Sequence, residues 1–250
     1  MKSISLFRIS YAAFAALFVC ASVGAANRMT VVSSHPASKS KADVSARGAL
    51  TIYIDAEGKA ILFDTGEKAS PPLPNIVELG LDSSIIEAVV ISHDETDHIH
   101  GLSDVLGATA MKSKVFVPPK AGEQISRQNP EAAVVAVAKP TRVLPDAWLV
   151  GPIDVEFEGE TTVAQALVLD RQDGLVVIVG CTSPAVSSII EQVKEVFGHR
   201  RIKLIAGGIH LRTTKRNDIK ELSLRMQQLG IKGLALSECT GVRALEIVRE

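Results

Sequence analysis

Short apolar runs closed by polar or glycine residues alternate along this chain with stretches whose apolar residues recur every three or four positions. The first pattern suits strands buried on both faces, the second amphipathic helices. Ala49 to Asp55 and Lys59 to Asp64 flank Ala56-Glu57-Gly58 and read as a hairpin. Pro71-Pro72-Leu73-Pro74 reads as a stop to any regular element, followed by a short helix from Asn75 to Leu79 that ends at Gly80. Ala88 to Ile91 is a buried strand. Past it, Ile99, Leu102, Val105 and Leu106 recur at helical spacing as far as Gly107. Lys114 to Val117 is the next strand, and residues 120–132 read as helix or loop.

From Ala133 to Leu169 the runs Val134–Val137, Ala147–Val150, Val155–Phe157 and Ala164–Leu169 are punctuated by Pro140, Pro145, Pro152 and Gly159, which suggests the strands of a second sheet. Trp148, the single tryptophan, reads as core. Leu175 to Val179 is a strand feeding Gly180-Cys181-Thr182-Ser183, and Pro184 opens a helix whose apolar face is Val186, Ile189, Ile190, Val193 and Phe197. Ile202 to Ala206 is a strand before Gly207-Gly208 and His210. A helix over 217–229, a strand from Gly233 to Leu236, the stretch Glu238-Cys239-Thr240-Gly241 and a last helix complete the chain. Strands and helices alternate, and the polar clusters fall where strands end, which is where open α/β sheets place their ligands.

One such cluster stands out. Ile91 to Gly101 reads I-S-H-D-E-T-D-H-I-H-G, with His93, Glu95, Asp97 and His98 inside six residues after a buried strand. His93 and Glu95, two apart on a chain leaving a strand, project to the same side and can share an ion; Asp97 and His98 can serve a second one close by. Imidazole nitrogen suits zinc, iron or manganese, and two carboxylates add hard oxygen donors with the negative charge a cation needs. A solvated polar loop before a helix is the plainer reading, but two histidines and two acids so close together favour a metal. His100 reads as a solvent or pocket-edge residue, and His210, alone after two glycines, is weak by itself.

These residues resemble the H-x-H-x-D-H signature of the metallo-β-lactamase superfamily, with Glu95 standing at the second His. Leu62-Phe63-Asp64-Thr65-Gly66 resembles that superfamily's early strand ending in Asp, and Gly207-Gly208-Ile209-His210-Leu211 its last metal-binding His. More narrowly, Gly180-Cys181-Thr182-Ser183-Pro184 and Glu238-Cys239-Thr240-Gly241 resemble the G-C-x-H-P and H-C-T-G of the dihydropterin-ribofuranosylaminobenzene-phosphate synthase branch. The resemblance, running from about Leu50 to the chain end, implies an α/β fold of four layers, an αβ/βα sandwich of two mixed sheets flanked by helices. It implies His93 and Glu95 on one metal, Asp97, His98 and His210 on another, and a metal-bound hydroxide as nucleophile, with Asp97 the catalytic residue that holds or takes the water's proton. Asp64 would orient a metal-bound His; local chemistry alone reads it equally well as a turn former before Gly66. Three positions depart: Ser183 stands at the His of G-C-x-H-P, Ala164 where an acid is usual, and Glu238 at the His of H-C-T-G. The implied activity is hydrolysis of a small ester, lactone, amide or phosphoester with one or two divalent ions, zinc foremost, manganese or iron otherwise. The alternative is an exported scaffold of the same fold, with metal or without, and with little or no catalysis.

Composition narrows the partners. Lys and Arg number 27 against 28 Asp and Glu, for a formal charge of -1, so no overall field draws nucleic acid or an anionic membrane, and a small molecule is the expected partner. Hydrophobic residues at 46% with aromatics at 4% point to an aliphatic core. Residues 1–26 read as a signal peptide: Lys2 and Arg8 precede the apolar stretch Ile9 to Val19, and Val23-Gly24-Ala25 offers a small-residue cleavage site. The expected mature chain, residues 27–250, is one domain, exported to the periplasm or secreted, with no membrane attachment after removal of the signal. Its two cysteines, Cys181 and Cys239, could form a disulfide in that compartment or line the pocket as thiols.

Overall fold

The computed structural model of the chain describes residues 8–9, 17–18, 28–33, 50–56, 58–67, 72–157, 160–180 and 186–249. Its first half runs β1 (Arg8–Ile9), β2 (Leu17–Phe18), β3 (Met29–Ser33), β4 (Thr51–Ala56), β5 (Lys59–Phe63), α1 (Pro72–Glu78), β6 (Ile86–Val90), α2 (Thr96–Ile99), α3 (Leu102–Ala108), β7 (Lys114–Val117), α4 (Pro119–Gln128) and β8 (Ala133–Ala136). The second half runs β9 (Thr141–Leu144), β10 (Ala147–Phe157), β11 (Glu160–Arg171), β12 (Gly174–Val179), α5 (Val186–Phe197), β13 (Ile202–Gly207), α6 (Arg216–Gln228), β14 (Gly233–Leu236) and α7 (Val242–Arg249).

The strands form two mixed sheets, ordered β2-β3-β4-β5-β6-β7-β8 and β1-β14-β13-β12-β11-β10-β9. In each, hairpins supply the antiparallel part and helical crossovers the parallel part: β5 to β8 run parallel in the first sheet, β12 to β14 in the second. Period-two alternation sorts the side chains into layers. Ile61 and Phe63 of β5 with Ala88 and Val90 of β6 meet Leu167, Leu169, Val176 and Ile178 of the opposite sheet in a core between the sheets. Leu62, Val89 and Val115 face the other way, onto Ile76 of α1, Leu102, Val105 and Leu106 of α3 and Ile125 of α4. Leu175, Val177 and Val179 likewise face α5, whose buried residues Val186, Ile189, Ile190 and Val193 keep the i, i+3, i+4, i+7 spacing of one helix face. The result is the expected αβ/βα sandwich. Strands covered on both sides must be apolar throughout, as β12 is along its whole length.

Several local expectations are corrected. The proline run does not stop a helix: α1 begins on Pro72 and includes Pro74, because the first helical turn has no internal partner for its N–H groups and tolerates proline there. Val134 and its neighbours do not belong to the second sheet. β8 instead adds parallel to β7 at the edge of the first. Ala147–Val150 and Val155–Phe157 are not separate strands but parts of β10, which carries a register shift between Val150 and Ile153 that absorbs the Gly-Pro pair. Trp148 is half-buried on the outer face rather than in the core, edge-on to Phe197 with Arg142 over its ring. Most of the expected signal peptide lies outside the described residues; the dipeptides β1 and β2 sit at the two sheet edges. No helix among the described residues is long and apolar enough to cross a membrane.

Candidate metal centre

The parallel strands of each sheet end at a common rim, and the polar cluster after β6, with Asp64 and His210, lies on it. β5 ends at Asp64, β6 leads through Ile91 and Ser92 to His93, and β13 ends in Gly207 before His210. Asp64 is fully buried and holds a left-handed backbone, φ 57°, a conformation that aspartate adopts more readily than most residues. Its Oδ1 accepts the Ser92 N–H at 2.7 Å, and its Oδ2 accepts both the Ser92 hydroxyl at 2.8 Å and His98 Nδ1 at 2.7 Å. The backbone of the loop is tied down from the same place, since Thr65 sends its N–H and its hydroxyl to the His98 carbonyl at 2.9 and 3.0 Å.

Thus fixed, the imidazoles of His93 and His98 lie with ring centroids 4.2 Å apart, both almost wholly buried. His93 Nε2 is 3.4 Å from Glu95 Oε2, and His98 Nε2 is 3.9 Å from Asp97 Oδ2. Neither Nε2 atom makes a hydrogen bond among the described residues. One donor-type atom from each of His93, Glu95 and His98 falls within 4.8 Å of the others. Two buried imidazole nitrogens without partners beside a carboxylate are costly unless something binds them, and a divalent cation of the zinc class fits this donor set. The geometry therefore groups His93 and Glu95 with His98 around one point, where the resemblance had divided them between two ions. Asp97 stands at its edge. His210, on the rim of the other sheet, is near enough to act on the Glu95 carboxyl: burial pushes that group up, but His93, His98 and His210 hold it below the usual carboxylate range. His100 is exposed, as expected.

The second sheet positions this loop through residues that sequence reading passed over. Buried Gln165 of β11 donates from Nε2 to the carbonyls of Ile91 and Phe116, 2.7 and 3.1 Å away, and its N–H goes to the Ser92 carbonyl at 2.8 Å. Thr162 of the same strand donates its hydroxyl to Asp94. Gly180, after β12, must be glycine for a close approach: a Cβ there would stand 2.2 Å from Ser92 Oγ and 3.3 Å from His93 Nδ1. A lone Gln inside the apolar run Val163–Leu169 was the visible signal. A groove of about 670 Å³ bordered by Ile86, Lys114, Phe116 and Arg142 opens near the starts of β6 and β7, at the far end of the strands from the histidines, and holds none of this chemistry.

A family model described as the β-lactamase superfamily domain matches residues 59–166. The crystal structure of Tm1679, a metal-dependent hydrolase of the β-lactamase superfamily, superposes with TM-score 0.67 at 26% identity, covering 88% of this chain and 91% of that one. The chain thus resembles the metallo-β-lactamase superfamily, in sequence over residues 59–166 and in fold over most of its length. The metallo-β-lactamase fold protein YhfI from Bacillus subtilis matches in fold with TM-score 0.62 at 14% identity over 88% of this chain and 90% of its own. In sequence, the 7,8-dihydropterin-6-methyl-4-(β-D-ribofuranosyl)-aminobenzene-5'-phosphate synthase of Methanocaldococcus jannaschii is 23% identical over 80% of this chain and 82% of its own. Ribonuclease Z of Salinibacter ruber is 26% identical over 49% of this chain and 38% of its own. Against the superfamily pattern, Ala164 is packed in the core without any donor atom, while Ser183 and Cys181 lie outside the described residues. Cys239 is buried with Sγ 3.2 Å from Ser237 Oγ.

Burial alone would lower the His98 pKa, yet the charge and hydrogen bond of Asp64, helped by Asp97 and Glu95, raise it to about 9. A proton thus competes with a cation for His98 at neutral pH. Metal affinity, measured by chelator competition, should rise by up to about tenfold per pH unit toward pH 9 and then level off; a flat profile would contradict the assignment. The metal-free fold should show the opposite trend, because a raised histidine pKa contributes stability that is complete below the unfolded value and is lost as pH rises through about 9.

Proposed function

We propose that this protein is an exported hydrolase that uses a divalent cation, zinc foremost, to cleave a small ester, lactone, amide or phosphoester. The observation that carries this reading is the pair of buried, hydrogen-bond-free Nε2 atoms of His93 and His98 facing Glu95. Similarity over nearly the full chain to a metal-dependent hydrolase supports it. A cation bound there would lower the pKa of water to about 7 and draw off charge building on the substrate oxygen. The chain's own residues do the rest: His93, Glu95 and His98 hold the ion, with His210 closing from the opposite rim, and Asp64 fixes the His98 ring. Asp97, 3.9 Å from His98 Nε2 and partly open to solvent, takes the proton released by the attacking water. Ala164 offers no donor where the resemblance puts an acid, which favours one ion over two. The near-neutral charge balance favours a small molecule over the nucleic acid that a ribonuclease would need.

The test is elemental analysis of protein purified without chelator, followed by a panel of lactone, aryl ester and phosphodiester substrates. One equivalent of metal and turnover of at least one class, abolished by chelation, is the expected result. Metal at that stoichiometry with no turnover of any class would support the exported scaffold instead, and absence of metal after reconstitution would remove the hydrolase and leave the metal-free scaffold.

A further inference from the structure

The hydrogen-bond pattern behind the two histidines carries more information than the position of the rings. Asp64 Oδ2 takes two donors, His98 Nδ1 at 2.7 Å and Ser92 Oγ at 2.8 Å, while its Oδ1 takes the Ser92 N–H at 2.7 Å. A carboxylate accepts only, so the single Ser92 hydroxyl proton is committed to Asp64. Ser92 Oγ also lies 2.8 Å from His93 Nδ1. With its proton already given away, the serine oxygen can only accept there, and His93 Nδ1 must carry a hydrogen. The reverse assignment, with Ser92 donating to His93, would leave lone pairs of Ser92 Oγ and Asp64 Oδ2 facing each other 2.8 Å apart in a site without exposed atoms to relieve them.

We infer that Ser92 is a positioning residue that extends the reach of Asp64 to His93, so that one buried carboxylate sets the tautomer of both histidines and leaves both Nε2 lone pairs directed at Glu95. Without the serine, His93 would be free to place its proton on Nε2, toward the Glu95 carboxylate 3.4 Å away, and so block that nitrogen as a ligand. The same logic explains why the strand after β11 must approach so closely. Glycine at 180 leaves the serine hydroxyl the room to sit between both partners, since a Cβ there would stand 2.2 Å from Ser92 Oγ. The inference rests on the metal-site reading for its purpose but not for its proton assignment, which exists in the metal-free protein.

The test is therefore a long-range nitrogen–proton correlation spectrum of metal-free, nitrogen-15-labelled protein at alkaline pH, where both rings are neutral. In the wild type both histidines should show the Nδ1-protonated pattern. In Ser92→Ala, His98 should keep it, because its bond to Asp64 is direct, while His93 changes to the Nε2-protonated or a mixed pattern. Metal affinity of that variant should fall about 10- to 100-fold, with its circular dichroism unchanged. Asp64→Asn should disturb both rings. A wild-type His93 protonated on Nε2, or a Ser92→Ala protein with unaltered His93 pattern and unaltered affinity, would overturn the inference. Correct tautomers in a wild type that binds no metal would sink the hydrolase reading and leave the proton assignment standing.

Discussion

Asp64→Ala is expected to lower unfolding stability by about 3–5 kcal/mol and metal affinity by about 100-fold or more. The carboxylate is fully buried and accepts from three donors, the Ser92 N–H and hydroxyl and His98 Nδ1, all at 2.7 to 2.8 Å. Truncation strands the Ser92 N–H and His98 Nδ1, and an unsatisfied buried donor carries its full desolvation cost. It also withdraws the charge that keeps the His98 pKa at about 9, so the ring, still buried, loses its proton and its orientation together. Alanine meets a further penalty at φ 57°, which asparagine does not. Asp64→Asn should thus fall between wild type and Asp64→Ala, as its amide must turn an N–H toward one of the donors. Urea unfolding at neutral pH, with metal removed, reads the first number, and chelator competition the second. A loss below about 1 kcal/mol for Asp64→Ala would mean that the hub is not holding the rim together.

Glu95→Gln should cost at least about 1000-fold in metal affinity, and catalytic rate with it, while barely altering the fold. The replacement keeps size and removes one negative charge. At an effective dielectric near 20, a unit pair at 4 Å is worth about 4 kcal/mol and a divalent ion doubles this; even if desolvation cancels half, about 4 kcal/mol remains, or roughly three decades. One effect runs the other way: Glu95 helps to keep the proton on His98, so its removal eases proton release. That offset is small because Asp64 is the larger influence. Stability is little affected, since the Glu95 side chain is 24% exposed and opens α2 without a side-chain capping bond. Titration calorimetry with zinc, wild type against variant, decides. Binding within about threefold of wild type would show that the cation, if any, sits elsewhere.

Much of this could be read before any coordinates. The alternation of buried strands and amphipathic helices was visible because both faces of each sheet are covered, which leaves unbroken apolar runs such as Leu175–Val179. His93, Glu95 and His98 were visible because they are close in sequence. What stayed hidden depends on partners far along the chain. Nothing near Val134 tells which sheet β8 joins, since a short, half-exposed apolar edge strand pairs equally well with either until the register is known. Nothing beside Ser92 tells that its hydroxyl is shared between Asp64 and His93, because the first of these lies 28 residues upstream. The closeness of His98 to the other two donors was hidden for a similar reason: spacing along an extended chain puts His93 with Glu95, but the turn into α2 folds His98 back until its ring meets that of His93.

The clamp that β11 places on the loop after β6 ties the precision of the chemistry to a remote hairpin. Thr162 and Gln165 reach Asp94, Ile91 and Phe116 across 68, 74 and 49 residues of chain. Side chains on a strand change face with every residue, so sliding β11 by one position against β10 would turn both of these away and offer apolar neighbours in their stead. The accuracy with which this protein could aim its histidines is thus inherited from the pairing of two strands that carry no ligand, and sequence drift in that hairpin would be felt first as lost affinity, long before the sandwich itself came apart.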